Sequence, residues 1–313
     1  MKYNQLGNTP LVVSELGFGA FAIGGNEHGN SYGPTDDAMS VTAVHAALEQ
    51  GCNFFDTADV YGYGHSEEVL GRALRQARRT TDVVIASKVG GNFTSGRTVI
   101  DFSHQHIQSA IDGTLRRLGR DCLDLYQLHN PPLAVIESGE AFDALDRLRE
   151  LGKIRCYGVS VHTVEEGLAC LREGRAQTLQ LVYNLFALLA PELSPEALFE
   201  PALRQGVGII AREPLAAGFL SGRHTLETVY GPGDNRCAWP LERRRLFVAL
   251  ANSLRRIEGS GVSLAQAALK FVLDQPAIAT TIVGVKTPAQ VIENWHACAI
   301  PSFAELEEAT ANS

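Results

Sequence analysis

The chain lacks several things, and each absence closes off a class of protein. No stretch of its 313 residues approaches the roughly eighteen consecutive apolar residues that a membrane-spanning helix needs. Its six cysteines, Cys52, Cys122, Cys156, Cys170, Cys237 and Cys298, are scattered without one C-x-x-C. That leaves no dithiol redox motif or zinc ribbon, and free thiols of a reducing compartment are expected. Basic residues are in deficit, 27 Lys and Arg against 35 Asp and Glu, for a formal net charge of −8. Such a balance speaks against nucleic acid or an anionic membrane as the main partner. The one dense basic run, Arg243-Arg244-Arg245, follows Glu242 and precedes an apolar stretch, so it reads as a solvated helix face. Short repeats, low-complexity segments, a Walker loop and a G-x-S-x-G elbow are all missing. His104 and His106 have no third partner at ligand spacing, and no metal is expected. Met1-Lys2-Tyr3-Asn4-Gln5 holds no apolar segment of the secretory kind, and a cytoplasmic protein is expected.

What is present is a recurring unit: a short apolar run, a loop, then an amphipathic helix. Eight runs read as strands: Leu16–Phe18, Asn53–Asp56, Val83–Lys88, Leu123–His129, Cys156–Ser160, Leu179–Tyr183, Gly208–Arg212 and Thr281–Gly284. Several are continuously apolar, as strands covered on both faces should be. Between them Val41, Val44 and Leu48 share a helix face, as do Ile107, Ile111, Leu115 and Leu118, and Phe142, Leu145 and Leu148. Thr163-x-x-Glu166 and Ser263-x-x-Gln266 are capping boxes, and Ser194-Pro195 and Thr287-Pro288 set a cap before a first-turn proline. Lys2–Leu6 and Leu11–Val13 flank Gly7-Asn8-Thr9-Pro10 as a hairpin would. Eight strand–helix units predict an α/β protein, a (β/α)₈ TIM barrel with an N-terminal β-hairpin, as one domain over residues 1–313. The doubly wound dinucleotide fold would need G-x-G-x-x-G after the first strand, and Gly17-Phe18-Gly19-Ala20-Phe21 does not fit it. Residues 225–242 read as a long loop on the active-site side.

A barrel of this kind carries its site at the C-terminal ends of the strands. Asp56, Lys88 and His129 end the second, third and fourth strands, and Tyr61 lies just past the second. Reducing a carbonyl takes a hydride to carbon and a proton to oxygen. Tyrosine can give that proton, but its ordinary pKa is about 10. A nearby ammonium lowers it, which is the role expected of Lys88, with Asp56 holding that lysine charged. His129 would hydrogen-bond and orient the carbonyl oxygen.

These residues bring a resemblance with them. The chain resembles the aldo-keto reductase superfamily in Phe54-Phe55-Asp56-Thr57-Ala58 with Tyr61-Gly62 and Ser66-Glu67, in Ala86-Ser87-Lys88, in Asp124–His129, in Gly158-Val159-Ser160, in Pro214–Gly218, and in Ile282-Val283-Gly284 followed by Glu293-Asn294. The resemblance implies a nicotinamide cofactor, NADPH ahead of NADH, and a catalytic tetrad of Asp56, Tyr61, Lys88 and His129. It implies that Gly19, Ala20, Phe21 and Asp56 border the cofactor and that Ser160 and Gln180 hold its carboxamide, though the usual asparagine after that serine is Val161. Arg212 stands where the family often has a tyrosine under the nicotinamide. A guanidinium can stack on a planar ring, is repelled by an oxidised, cationic one, and equally can pair with Glu213. Pro214, Leu215, Gly218 and Leu220 resemble the pyrophosphate loop. Gly284, Lys286, Thr287, Gln290, Glu293 and Asn294 match the adenosine end, with Lys286 and Thr287 suited to a 2′-phosphate. Asn130, beside His129, is the expected substrate contact.

The expectation is an enzyme that reduces an aldehyde or ketone with NADPH. The same tetrad could run an alcohol or sugar dehydrogenase in the oxidative direction. A nicotinamide-binding regulatory subunit, as in the β subunits of potassium channels, is the reading from a different class.

Overall fold

The computed structural model describes residues 1–28 and 31–311. Eight strands, Leu16–Gly19, Phe54–Asp56, Val84–Val89, Leu123–His129, Ile154–Ser160, Thr178–Val182, Gly208–Arg212 and Ile278–Gly284, close into a barrel. Each pairs in parallel with the next, and the eighth pairs with the first. All eight expected strands are present, with ends shifted by up to three residues. The largest shift is in the eighth strand, which starts at Ile278 because that residue already pairs with Ile209, ahead of a register irregularity between Ile209 and Ile210.

Alternation along the strands sorts residues into two environments. Phe54, Val84, Ala86, Leu125, Cys156, Ile210 and Ile282 pack with Leu6, Leu11 and Val13 of the N-terminal hairpin, whose strands are Tyr3–Gln5 and Val12–Ser14. Outward residues such as Phe55, Ile85, Tyr126 and Val159 meet the helices in the main apolar cluster. The helical faces are as read: Val41 and Val44, Ile107, Ile111 and Leu118, and Phe142, Leu145 and Leu148 are buried. Both capping boxes form, Thr163 with Glu166 and Ser263 with Gln266. The helix Pro288–Trp295 begins after Thr287, whose side chain accepts from Gln290 N. Ser194-Pro195 instead opens a 3₁₀ turn, Glu196–Leu198, ahead of the helix Phe199–Gln205.

Two elements had no legible signal. A hairpin of Gly91–Asn92 with Val99–Ile100 leaves the third strand's loop, too short to show a period. A helix Leu133–Ser138 follows Pro132. Within residues 225–242 the chain makes a 3₁₀ turn at Asn235–Ala238 before the helix Leu241–Leu254. Asp234 of this stretch bridges to Ser31, so the loops after the first and seventh strands join over the barrel mouth. Among the described residues no helix is long and apolar enough to cross a membrane.

Candidate active site

Strand register places the polar groups. Asp56 lies opposite Ala86, and Lys88 opposite Gln127, which puts both charged side chains in the inward layer just above the apolar plug. Lys88 is fully buried and Asp56 is 1% exposed. Their ammonium and carboxylate are in direct contact. Lys88 Nζ also donates to Thr57 O at 2.9 Å and to Tyr61 Oη at 3.3 Å, so the ammonium's donors converge on the tetrad. The second oxygen of Asp56 accepts from Gln180 Nε2 at 2.8 Å and Gln127 Nε2 at 3.3 Å. A buried ion pair needs its remaining lone pairs satisfied in this way.

Tyr61 reaches Lys88 because the loop after the second strand turns sharply. Gly62 has φ +61°, and a Cβ there would lie 1.9 Å from Gly24 O. Thr57 Oγ1 meets Ser66 Oγ at 2.9 Å, and Ser66 Oγ donates to Ala20 O at 2.8 Å. Glu67, fully buried, accepts from Ser87 Oγ at 2.5 Å and Arg117 Nε at 2.6 Å. The Ser66-Glu67 pair thus ties the Tyr61 loop to the barrel wall. The Tyr61 ring sits edge-on to His129 with centroids 5.6 Å apart, and edge-on to Phe21 at 4.9 Å.

The electrostatics correct one expectation. Burial pushes the Tyr61 hydroxyl above the ordinary tyrosine value. Lys88 opposes this and Asp56 adds to it, and the ammonium does not win. The phenol therefore stays protonated, as a donor must. For Lys88, burial disfavours the ammonium, but Asp56 and Tyr61 outweigh it and hold its pKa above the usual lysine value. Burial, with Lys88, Arg212 and His162 nearby, takes His129 well below its ordinary value, so the imidazole is neutral. A neutral imidazole can donate one N–H to an oxygen without competing for the proton. Behind the tetrad, Asp59 is buried with Oδ1 unpartnered among the described residues. Burial and then Glu67 hold its carboxyl well above the usual carboxylate range.

These groups open into a cavity of about 710 Å³. Of the residues expected at the site, Gly19, Phe21, Asp56, Tyr61, His129, Asn130, Gln180, Arg212, Pro214, Leu215, Gly218, Gly284, Lys286, Gln290, Glu293 and Asn294 line it. Lys88 stands behind Tyr61. Four others do not line it. Ala20 and Leu220 are fully buried in apolar clusters, Thr287 caps its helix, and buried Ser160 turns its Oγ to Asn130 Oδ1 at 3.2 Å. Asn130 takes φ +56°, a conformation asparagine tolerates, with its N–H on Ser160 O at 2.9 Å. Arg212 donates to Glu213 Oε1 at 2.5 Å and to Val161 O at 3.3 Å, and meets His162 Nδ1 at 3.1 Å. The two departures from the family pattern, Val161 and Arg212, therefore touch. Lys286 Nζ donates to Tyr32 O at 2.7 Å, Pro34 O at 3.0 Å and Gly33 O at 3.3 Å, while Gln290 Oε1 accepts from Lys286 N at 2.7 Å.

Sequence reasoning read residues 225–242 as a loop that could cover the site, but not which side chains build the wall of the joined loops. The Arg236 guanidinium makes two bonds to Asp234, at 2.7 and 3.0 Å, and reaches Ala217 O at 2.9 Å. Thr98 and Ile100 come from the unforeseen hairpin. Its one available signal was the turn-rich Tyr230-Gly231-Pro232-Gly233-Asp234 in a loop too long to be idle.

The residues present leave polar groups that a nicotinamide cofactor could satisfy. Gln180 Oε1 and Arg212 Nε are buried without a partner among the described residues, on two side chains that border the cavity. Buried polar atoms left open in this way mark where a ligand's polar groups complete the site.

Comparison with known proteins agrees with this architecture. The family model described as "Aldo/keto reductase family" matches residues 15–310. The aldo-keto reductase YhdN of Bacillus subtilis is 30% identical over 297 residues, covering 93% of this chain and 87% of the relative. The holo form of aldo-keto reductase AKR11C1 from Bacillus halodurans superposes with a TM-score of 0.80 at 30% identity, over 100% of this chain and 96% of that one. The glycerol dehydrogenase AKR11B4 from Gluconobacter oxydans gives 0.79 at 28% identity, over 99% and 94%. With the barrel, its polar layer and a family match over nearly its whole length, the chain belongs to the aldo/keto reductase family.

Proposed function

We propose that this chain reduces an aldehyde or ketone to an alcohol with a nicotinamide cofactor, NADPH by preference, and that Tyr61 gives the proton. The observation that carries this reading is the Tyr61 hydroxyl 3.3 Å from a fully buried ammonium that is itself paired with Asp56. When bound, the cofactor supplies a hydride to the carbonyl carbon. Tyr61 Oη–H transfers its proton to the carbonyl oxygen as that oxygen gains negative charge. The phenolate left behind faces Lys88 Nζ, whose charge stabilises it until a solvent proton replaces the one given. His129, neutral, donates a hydrogen bond that orients the carbonyl. Gln180 and Arg212, each with a free polar atom, would hold the carboxamide end of the cofactor. The loop from Pro214 to Gly218 would meet its pyrophosphate, and Gln290, Glu293 and Asn294 its adenosine. Asn130 borders the substrate.

With its pKa raised by burial, Tyr61 is a phenol at neutral pH, the form that donates a proton in reduction. Oxidation of an alcohol needs the phenolate and should gain on reduction as pH rises. The test is quenching of protein fluorescence by NADPH and NADH, followed by turnover of a panel of carbonyls and alcohols. Binding without turnover of any carbonyl or alcohol would move the assignment to a regulatory subunit.

A further inference from the structure

Behind the tetrad, on the far side from the cavity, the loop that carries Tyr61 rests on a second polar cluster. The loop is laced to the third strand. Thr57 N donates to Ala86 O at 2.8 Å, Asp59 N to Lys88 O at 3.3 Å, and Lys88 Nζ to Thr57 O at 2.9 Å. Glu67, in the first turn of the helix His65–Gln76, accepts from Ser87 Oγ at 2.5 Å and from Arg117 Nε at 2.6 Å. Arg117 lies in the last turn of the helix His104–Leu118 and also packs against the loop. A Cβ on Gly64, at φ +96°, would lie 2.6 Å from Arg117 Cδ. Asp59 is buried in the same space, and the Val60 N–H donates to its carboxyl. Asp59 Oδ1 and Tyr126 Oη are both buried without a partner among the described residues. Asp59 is the charge that acts most strongly on the Tyr126 hydroxyl.

The charges of this cluster balance only if Asp59 is neutral. The groups that face it are Glu67 and Arg117 from the two helices, Lys88 from the third strand and Tyr126 from the fourth. Lys88 is paired with Asp56, and Arg117 with Glu67. An ionised Asp59 would be a second carboxylate beside Glu67 with no cation left to it. Burying an unpaired charge is costly, and neighbouring carboxylates resist ionising together. With a proton on Asp59 the cluster holds one ion pair and no excess charge.

We propose that Asp59 is a positioning residue that holds the Tyr61 turn in place only while its carboxyl carries a proton, and that losing this proton ends turnover in both directions. This role rests on the proposed function above. An ionised Asp59 is repelled by Glu67 and drawn toward water. Tyr61 follows it by two residues, so the turn moves with it and the hydroxyl leaves Lys88. The signature differs from that of Tyr61's own titration. Ionising Tyr61 removes the donor for reduction and supplies the base for oxidation, so the two directions part. Ionising Asp59 displaces the group that both directions need, so they fall together.

The test measures single-turnover carbonyl reduction and alcohol oxidation across alkaline pH in wild type and in Asp59→Asn. Each profile is scaled to its own plateau, and circular dichroism is recorded at each pH. Wild type should lose both directions together, by about tenfold per pH unit beyond one midpoint, with its fold intact. Asparagine keeps the shape of the neutral carboxyl, so Asp59→Asn should lack the common fall and show only the opposed limbs. Infrared difference spectra of wild type between neutral and alkaline pH need no variant. The C=O absorption of a buried carboxylic acid should vanish with the same midpoint. The role is overturned by a common fall that persists in Asp59→Asn, by a wild-type fall that coincides with unfolding, or by the absence of that absorption at neutral pH. Wild type that turns over no carbonyl or alcohol at any pH overturns the proposed function itself, and this role with it, a result distinct from any difference between the profiles.

Discussion

Lys88→Met separates the two tasks assigned to this lysine. The substitution keeps an unbranched side chain one atom shorter and removes its charge from a fully buried position. The first consequence is on stability. Asp56 keeps its bonds from Gln127 and Gln180 but loses its counter-charge, and breaking a buried pair on one side costs about 3–5 kcal/mol. The second is on chemistry. An ammonium and a phenolate 3.3 Å apart attract by about 5 kcal/mol at an effective dielectric near 20. As an upper bound, that makes the phenolate roughly five-thousandfold harder to form without Lys88. A urea melt followed by circular dichroism reads the first effect, and single-turnover carbonyl reduction at saturating NADPH reads the second. Adding Asp56→Asn should recover much of the stability and none of the turnover, because it removes the orphaned charge but not the need for an ammonium. A folded Lys88→Met protein that turns over within tenfold of wild type would refute the role given to Lys88.

Tyr61→Phe should bind NADPH normally in a quenching titration and lose turnover by at least roughly a hundredfold, since it removes the hydroxyl that gives the proton. Asp59→Asn tests the buried carboxyl behind the tetrad. Its folded pKa is raised, so the folded chain holds a proton that the unfolded chain releases, and stability falls as pH climbs from the usual carboxylate range toward that raised value. Asparagine does not titrate, so the variant should gain on wild type as pH rises above the usual carboxylate range in denaturant melts; parallel pH profiles would show that Asp59 is ionised. Gly62→Ala forces a Cβ onto Gly24 O at φ +61° and should cost more than about 1 kcal/mol while lowering turnover through a displaced Tyr61. Unchanged melts and unchanged turnover would mean the turn does not set the tyrosine.

Much of the site was legible because its signals are local. A tetrad residue at the end of an apolar run needs only the strand's own sequence to be placed, and the parallel barrel then gathers the ends. The helix faces and capping boxes are likewise set within a few residues. The hairpin Gly91–Asn92 with Val99–Ile100 was not legible, since two-residue strands carry no period. Nor was the wall formed by Arg236, whose partners Asp234 and Ala217 come from a turn and from a second loop that only folding brings within 2.9 Å.

The sequence by itself determined the eight-stranded barrel, the residue types of the tetrad and their order at strand ends. These follow from hydrophobic periodicity and from parallel pairing of consecutive strands. Tertiary structure alone decided how those groups behave. Burial, which no residue encodes alone, outweighs Lys88 and raises the Tyr61 pKa where proximity to an ammonium predicted a fall. Contacts across 252 to 254 residues of chain occupy Lys286 with backbone carbonyls of the loop after the first strand. Charge can be counted in a sequence, but whether a charge is free is settled by what folds against it.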